Sequence, residues 1–76
     1  MPDPTILDAT GLRCPLPVLR AKKALGALAP GAELRVLATD PAAVKDFQAF
    51  CRETGHRFIG STQDGDVYAI SLRKAG

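Results

Sequence analysis

Apolar positions along this chain recur at two spacings. Val18, Ala21, Leu25 and Leu28 fall at i, i+3, i+7 and i+10, one stripe along a helix predicted from Pro15 to Leu28. Arg20, Lys23 and Gly26 lie off that stripe, toward solvent. In Ala32–Thr39 the spacing changes to two: Leu34, Val36 and Ala38 share one face of a strand, and Arg35, Leu37 and Thr39 the other. A helical stripe returns with Val44, Phe47, Cys51 and Thr54, with Phe50 beside it. Asp40-Pro41 then reads as N-cap and first residue of a second helix, which ends at about Thr54 before Gly55.

Three further strands complete the pattern. Thr5–Ala9 is short and comes first, and Arg57–Thr62 and Val67–Lys74 come last. Gln63-Asp64-Gly65-Asp66 joins the last two as a hairpin, with Asp64-Gly65 as the two-residue turn. That loop pairs Ile59 with Ile70 and Ser61 with Tyr68. Tyr68, Ile70 and Leu72 are then expected to meet the helices, and Phe58, Val67 and Ala69 to lie on the opposite sheet face.

The element order β-α-β-α-β-β implies a parallel strand pair with right-handed crossovers. The expected fold is α/β: a two-layer sandwich with a four-stranded mixed sheet and two helices on one face. Residues 1–76 are expected to form a single domain, with 1–4 as a loose N-terminal tail. A chain of this length buries only about 60% of its unfolded surface, too little for a deep enclosed active site.

The chemistry concentrates in Gly11-Leu12-Arg13-Cys14-Pro15-Leu16-Pro17. Pro15 and Pro17 suit a first helical turn, which places Cys14 at the N-cap. Gly11 gives the chain freedom to turn out of the preceding strand. A helix N-terminus and Arg13 both favour an anion, so the thiolate, the nucleophilic form, is expected to be promoted. Free cysteines are often small buried hydrophobes instead; the boundary position between Arg13 and Pro15 favours the reactive thiol. Asp40 lies on the same sheet edge and either caps its helix or shapes a partner's approach. Cys51 falls on an apolar stripe roughly 15 Å along its helix, which makes it core and puts a Cys14–Cys51 disulfide out of reach.

Leu7 through Pro17 resembles the opening signature of the TusA/SirA-like sulfur carriers, marked by Cys-Pro-x-Pro entering the first helix. Asp40-Pro41, Asp46-Phe47, Phe50-Cys51 and Gly55-His56 match a second stretch of the same family, and the resemblance runs from about Ile6 to Lys74. It implies a cytoplasmic carrier that accepts sulfane sulfur on Cys14 as a persulfide, with Pro15 and Pro17 as the motif prolines. A cysteine desulfurase or rhodanese-like protein would be the donor, and a downstream protein the acceptor. The pathways implied are tRNA thiolation, molybdenum-cofactor maturation and sulfur oxidation. In the tRNA-thiolation branch the residue between the motif prolines is often acidic, whereas here it is Leu16.

Net charge changes this picture only a little. The chain carries +2 with three Phe, one Tyr and no Trp, short of the concentrated basic stripe and stacking aromatics of a nucleic-acid binder. Arg20, Lys22 and Lys23 form a basic helix face that a protein partner, or simply solvent, would meet. No apolar run is long enough to cross a membrane, and Met1-Pro2-Asp3-Pro4 lacks the features of a signal peptide. No cofactor and no metal are expected, since the two cysteines and His56 are scattered, and the chain is expected to be a monomer. The rival reading is a non-catalytic regulatory or RNA- or protein-binding module that uses the basic first helix.

Overall fold

The structure is a computed structural model that describes residues 3–75. Its elements are β1 (Thr5–Ala9), α1 (Leu16–Gly26), β2 (Glu33–Ala38), α2 (Ala43–Thr54), β3 (Arg57–Asp64) and β4 (Val67–Arg73). The sheet order is β1-β2-β4-β3. β1 runs parallel to β2, while β4 is antiparallel to both β2 and β3. This is the expected mixed four-stranded sheet. Part of the tail expected at 1–4 lies outside the described residues, and Asp3 and Pro4 belong to no element.

One apolar cluster joins the two layers. Ala21 and Leu25 of α1, and Phe47 and Cys51 of α2, meet Leu34, Val36 and Ala38 of β2 and Ile70 and Leu72 of β4. The alternation in β2 and the stripes of both helices therefore point at one another, with Val18 and Leu28 partly buried at the margin. Phe47 and Phe50 pack edge to face, with ring centroids 6.4 Å apart, a geometry that aligns the ring edge of one with the π-face of the other.

The helix ends depart from the expected boundaries. α1 begins at Leu16, with Pro15 in a non-helical conformation as its N-cap, so Cys14 stands one residue before the N-cap. Leu16 N–H is bonded to Arg13 C=O at 2.8 Å, a turn that precedes the helix proper. At the other end, Ala27 and Leu28 donate to carbonyls three residues back, so the last turn tightens and the α-helix stops at Gly26. Asp40 likewise does not cap α2. Its Oδ1 accepts Ala42 N–H at 3.0 Å and its C=O accepts Ala43 N–H, which makes Asp40 the hinge of a turn leading to the N-cap, Ala42.

The hairpin differs by two residues in register. Asp64 pairs with Val67, Gln63 with Tyr68 and Ser61 with Ile70, leaving Gly65-Asp66 as the two-residue turn. Gly65 takes φ 59°, where a Cβ is disfavoured. A register shift between Phe58 and Gly60 then makes Ile59 an extra residue in β3. Phe58 consequently pairs with Leu72 and packs against the core, correcting its expected place on the open sheet face. Ile59 turns outward instead, 44% exposed.

Cys51 is a free thiol only 5% exposed, within the core cluster. Cys51→Ser should melt earlier by at least about 4 °C, because a buried hydroxyl without a partner costs about 1–3 kcal/mol and each kcal/mol is worth about 4–8 °C in a domain of this size. Differential scanning calorimetry reads the shift, and an unchanged melting temperature would mean that the hydroxyl finds a partner.

Candidate functional site

The site forms where the chain leaves the parallel strands β1 and β2, the edge at which open α/β sheets gather their ligands. Two connections meet there and are stitched together. Asp8 Oδ1 accepts the backbone N–H and the hydroxyl of Thr10, at 3.0 and 2.6 Å, folding the chain back after β1. These Thr10 bonds hold the Asp8 carboxyl below its ordinary pKa. Gly11, at φ 79°, makes the turn and donates its N–H to Thr39 Oγ1 of the second connection at 2.8 Å. Cys14 N–H then donates to Asp40 Oδ2 at 2.6 Å, across 26 residues of sequence.

Asp40 is thus bidentate between the two connections: Oδ1 on Ala42 N–H, Oδ2 on Cys14 N–H. Both bonds favour the carboxylate, Ala42 first and Cys14 second, and the Arg13 charge adds to them, so its pKa lies below the ordinary aspartate value. Gly11, Leu12, Arg13, Cys14, Thr39, Asp40 and Pro41 line one open depression. Cys14 is exposed in it. Its peptide bond to Pro15 is cis.

The expected promotion of the thiolate is not what the surroundings provide. The Cys14 pKa is raised above that of an ordinary thiol. The first cause is the neighbouring Asp46 carboxylate, an acceptor that favours the protonated thiol; desolvation and the negative charges of Asp46 and Asp40 follow. The helix start offers few donors against this. Pro15 and Pro17 have no N–H to offer, and Leu16 N–H is spent on Arg13 C=O. Arg13 acts on Asp40. A cysteine at a helix entrance thus faces acceptors where the sequence suggested donors.

The remaining candidates are spread along α1. Pro17 is buried in the first turn. Arg20 and Lys23 line a shallow groove with Leu7, Ala24 and Ala27, while Lys22 is exposed beside it. Two large apolar side chains missed in the sequence reading stand between this basic face and the thiol: Leu16, 44% exposed, and Leu19, 53% exposed. They are three residues apart and so on one surface. Their position off the Val18–Ala21–Leu25 stripe was the available signal. Asp46 was visible only as part of the Asp46-Phe47 family stretch and carried no role at the site; it stands in the first turn of α2 and acts on Cys14 across the two helices. His56 accepts Ala75 N–H at Nδ1, 3.0 Å, and sits over Phe50, so it caps no helix carbonyl.

Residues 5–74 match the sulfurtransferase TusA family. The chain belongs to that family. It is 49% identical over 69 residues to the sulfur carrier protein TusA of Allochromatium vinosum, covering 91% of each chain. It is 53% identical over 67 residues to a Neisseria meningitidis protein named as a sulfur carrier, covering 88% of this chain and 90% of that one. Among solved structures, the SirA-like protein of Desulfitobacterium hafniense superposes with a TM-score of 0.82 at 28% identity, over 95% of this chain and 99% of the other. In this TusA-family chain, motif and fold meet at one edge: Cys-Pro-x-Pro enters α1 there, and Asp40 arrives from β2.

Proposed function

We propose that this chain is a sulfur carrier that accepts sulfane sulfur on Cys14 as a persulfide and relays it to an acceptor protein. The observation that carries this reading is the contrast between its two free thiols, Cys14 exposed at the sheet edge and Cys51 buried in the core. Membership of the TusA family supports it. Cys14 sulfur attacks the outer sulfur of a donor persulfide, a new S–S bond forms, the donor's own S–S bond breaks, and the donor sulfur leaves as a thiol. One proton moves from Cys14 to the departing sulfur, and no external oxidant or reductant is needed. The donor is a cysteine desulfurase or rhodanese-like protein; the acceptor belongs to tRNA thiolation, molybdenum-cofactor maturation or sulfur oxidation. An open site suits the task, since one thiol must enter two partners' active sites. Free thiols also suit the reducing cytoplasm.

Incubating the reduced protein with cysteine, a desulfurase and pyridoxal phosphate tests the reading. The intact mass should increase by one sulfur atom, and peptide mapping should place it on Cys14. No gain from any persulfide donor, or a gain on Cys51, would overturn it.

Docking is proposed along α1, where Leu16 and Leu19 offer apolar contact next to the thiol and Arg20 and Lys23 supply charge farther on. Rim charges act mainly through association rate and salt dependence. Arg20→Glu/Lys23→Glu should therefore slow sulfur uptake from the cognate donor, most strongly at low salt, at an unchanged melting temperature. Uptake that is equal to wild type at every salt concentration would move the docking surface elsewhere.

A further inference from the structure

The two edges of the sheet are finished differently. β3, at one end of the order β1-β2-β4-β3, carries the register shift at Ile59 and a charge at each end, Arg57 and Asp64. Bulges and charges of this kind turn a strand edge away from new partners. β1, at the other end, pairs with β2 in unbroken register from Thr5 to Ala9 and holds neither proline nor lysine. Its outer N–H and C=O groups are a template for another strand, though a small one at five residues.

α1 adds what this short edge lacks. Arg20, Lys23, Ala24 and Ala27 lie at i, i+3, i+4 and i+7, on one helix face. With Leu7 of β1 they line a groove of about 750 Å³. The small alanines leave room above Leu7, and two cations stand along the same wall. Among the described residues the ion pairs are those of Glu33 with Arg35 and Arg73, so Arg20 and Lys23 meet no carboxylate of this chain there. Asp8, the acidic residue of β1, is bonded to Thr10. The groove shares no lining residue with the depression around Cys14.

We propose that the groove between β1 and α1 receives an extended acidic segment of a protein partner, which joins the sheet as a further strand beside β1. Main-chain hydrogen bonds to β1 give such a segment its grip, and side chains at alternate positions its specificity. Every second side chain of the added strand points toward α1. There an apolar one fills the space over Leu7, Ala24 and Ala27, and an acidic one meets Arg20 or Lys23. This deepens the docking reading along α1 and rests on it for the nature of the partner. Leu16 is four residues before Arg20 and so on the same surface; a segment seated in the groove tethers its protein on the helix that starts beside the thiol.

The test uses full-length reduced protein and no sulfur donor, so it can fail without touching the reading of Cys14. Three peptides are titrated into isotope-labelled protein: repeats of Thr-Val-Thr-Glu, the same repeats with Lys for Glu, and the glutamate peptide with a central proline. The glutamate peptide should slow amide exchange in β1 and shift the signals of α1 from Arg20 to Ala27. The lysine peptide should bind at least about tenfold more weakly, a difference of about 1.4 kcal/mol. The proline peptide should lose the protection of β1, because proline has no N–H to give a ladder. Arg20→Glu/Lys23→Glu should reverse the preference between the glutamate and lysine peptides. Ala27→Trp, at an exposed position, should fill the groove and weaken every peptide at an unchanged melting temperature. Added salt should weaken the glutamate peptide in wild type. Equal affinity for the glutamate and lysine peptides would overturn the proposal, as would binding that leaves exchange in β1 unchanged. So would protection of β1 that grows with protein concentration alone, which assigns the edge to a second copy of the chain.

Discussion

Cys14→Ser is expected to abolish sulfur loading while leaving the melting temperature unchanged. The residue is exposed and lies outside the core cluster, and what holds its loop in place is its backbone. Its N–H donates to Asp40 whatever the side chain, and Leu16 N–H still closes the turn on Arg13 C=O. Exposed substitutions of this kind usually change stability by no more than about 0.5 kcal/mol. A serine hydroxyl cannot be turned into a persulfide, so the loss is complete. Intact mass after incubation with the donor and calorimetry of the same sample read the two halves separately. Loading equal to wild type would show that Cys14 is not the acceptor. A large drop in melting temperature would show that the thiol itself holds the edge together.

Phe47→Ala is the stability counterpart. Phe47 is fully buried, lies between α2 and the sheet, and meets Phe50 edge to face. Removing a buried phenyl ring costs about 3–5 kcal/mol, and natural domains have only about 5–15 kcal/mol in all. In a domain of this size each kcal/mol is worth about 4–8 °C of melting temperature, so a fall of at least about 12 °C is expected. α2 carries Asp46 one residue before Phe47. Loosening the helix should therefore also move that carboxylate away from Cys14 and bring the thiol's pKa back toward its ordinary value. A fall of only a few degrees would mean that the core refills the space.

The layer structure was legible in the sequence because it depends on periodicity alone. A spacing of two in β2 and of three and four in the helices places each apolar face without reference to any distant residue. Boundaries were less legible, because they depend on which hydrogen bond wins locally. Asp40 looks like a cap, yet its carboxylate is divided between Ala42 and Cys14, and only the meeting of two connections reveals the second partner. The hairpin register turned on whether Asp64 or Gly65 opens the turn, and the bulge at Ile59 then reversed the face of Phe58. The thiol's environment was the least legible. Gly11, Arg13, Pro15 and Pro17 were visible beside it, but the carboxylate that does most to raise its pKa comes from another helix, 32 positions along the chain.

The bond from Cys14 N–H to Asp40 Oδ2 also decides how portable the motif is. A synthetic peptide spanning Leu7 to Gly31 would contain the entire Cys-Pro-x-Pro stretch and all of α1. It would have neither Asp40 nor Asp46, and no β2 against which to fix the turn at Gly11. Such a fragment should behave as a common aliphatic thiol on a largely unstructured chain. Transplanting the motif onto the N-terminus of another helix should fare no better unless the host's neighbouring crossover supplies a carboxylate at the same height. The unit that evolution can copy, and that an engineer must graft, is the pair of adjoining βα connections.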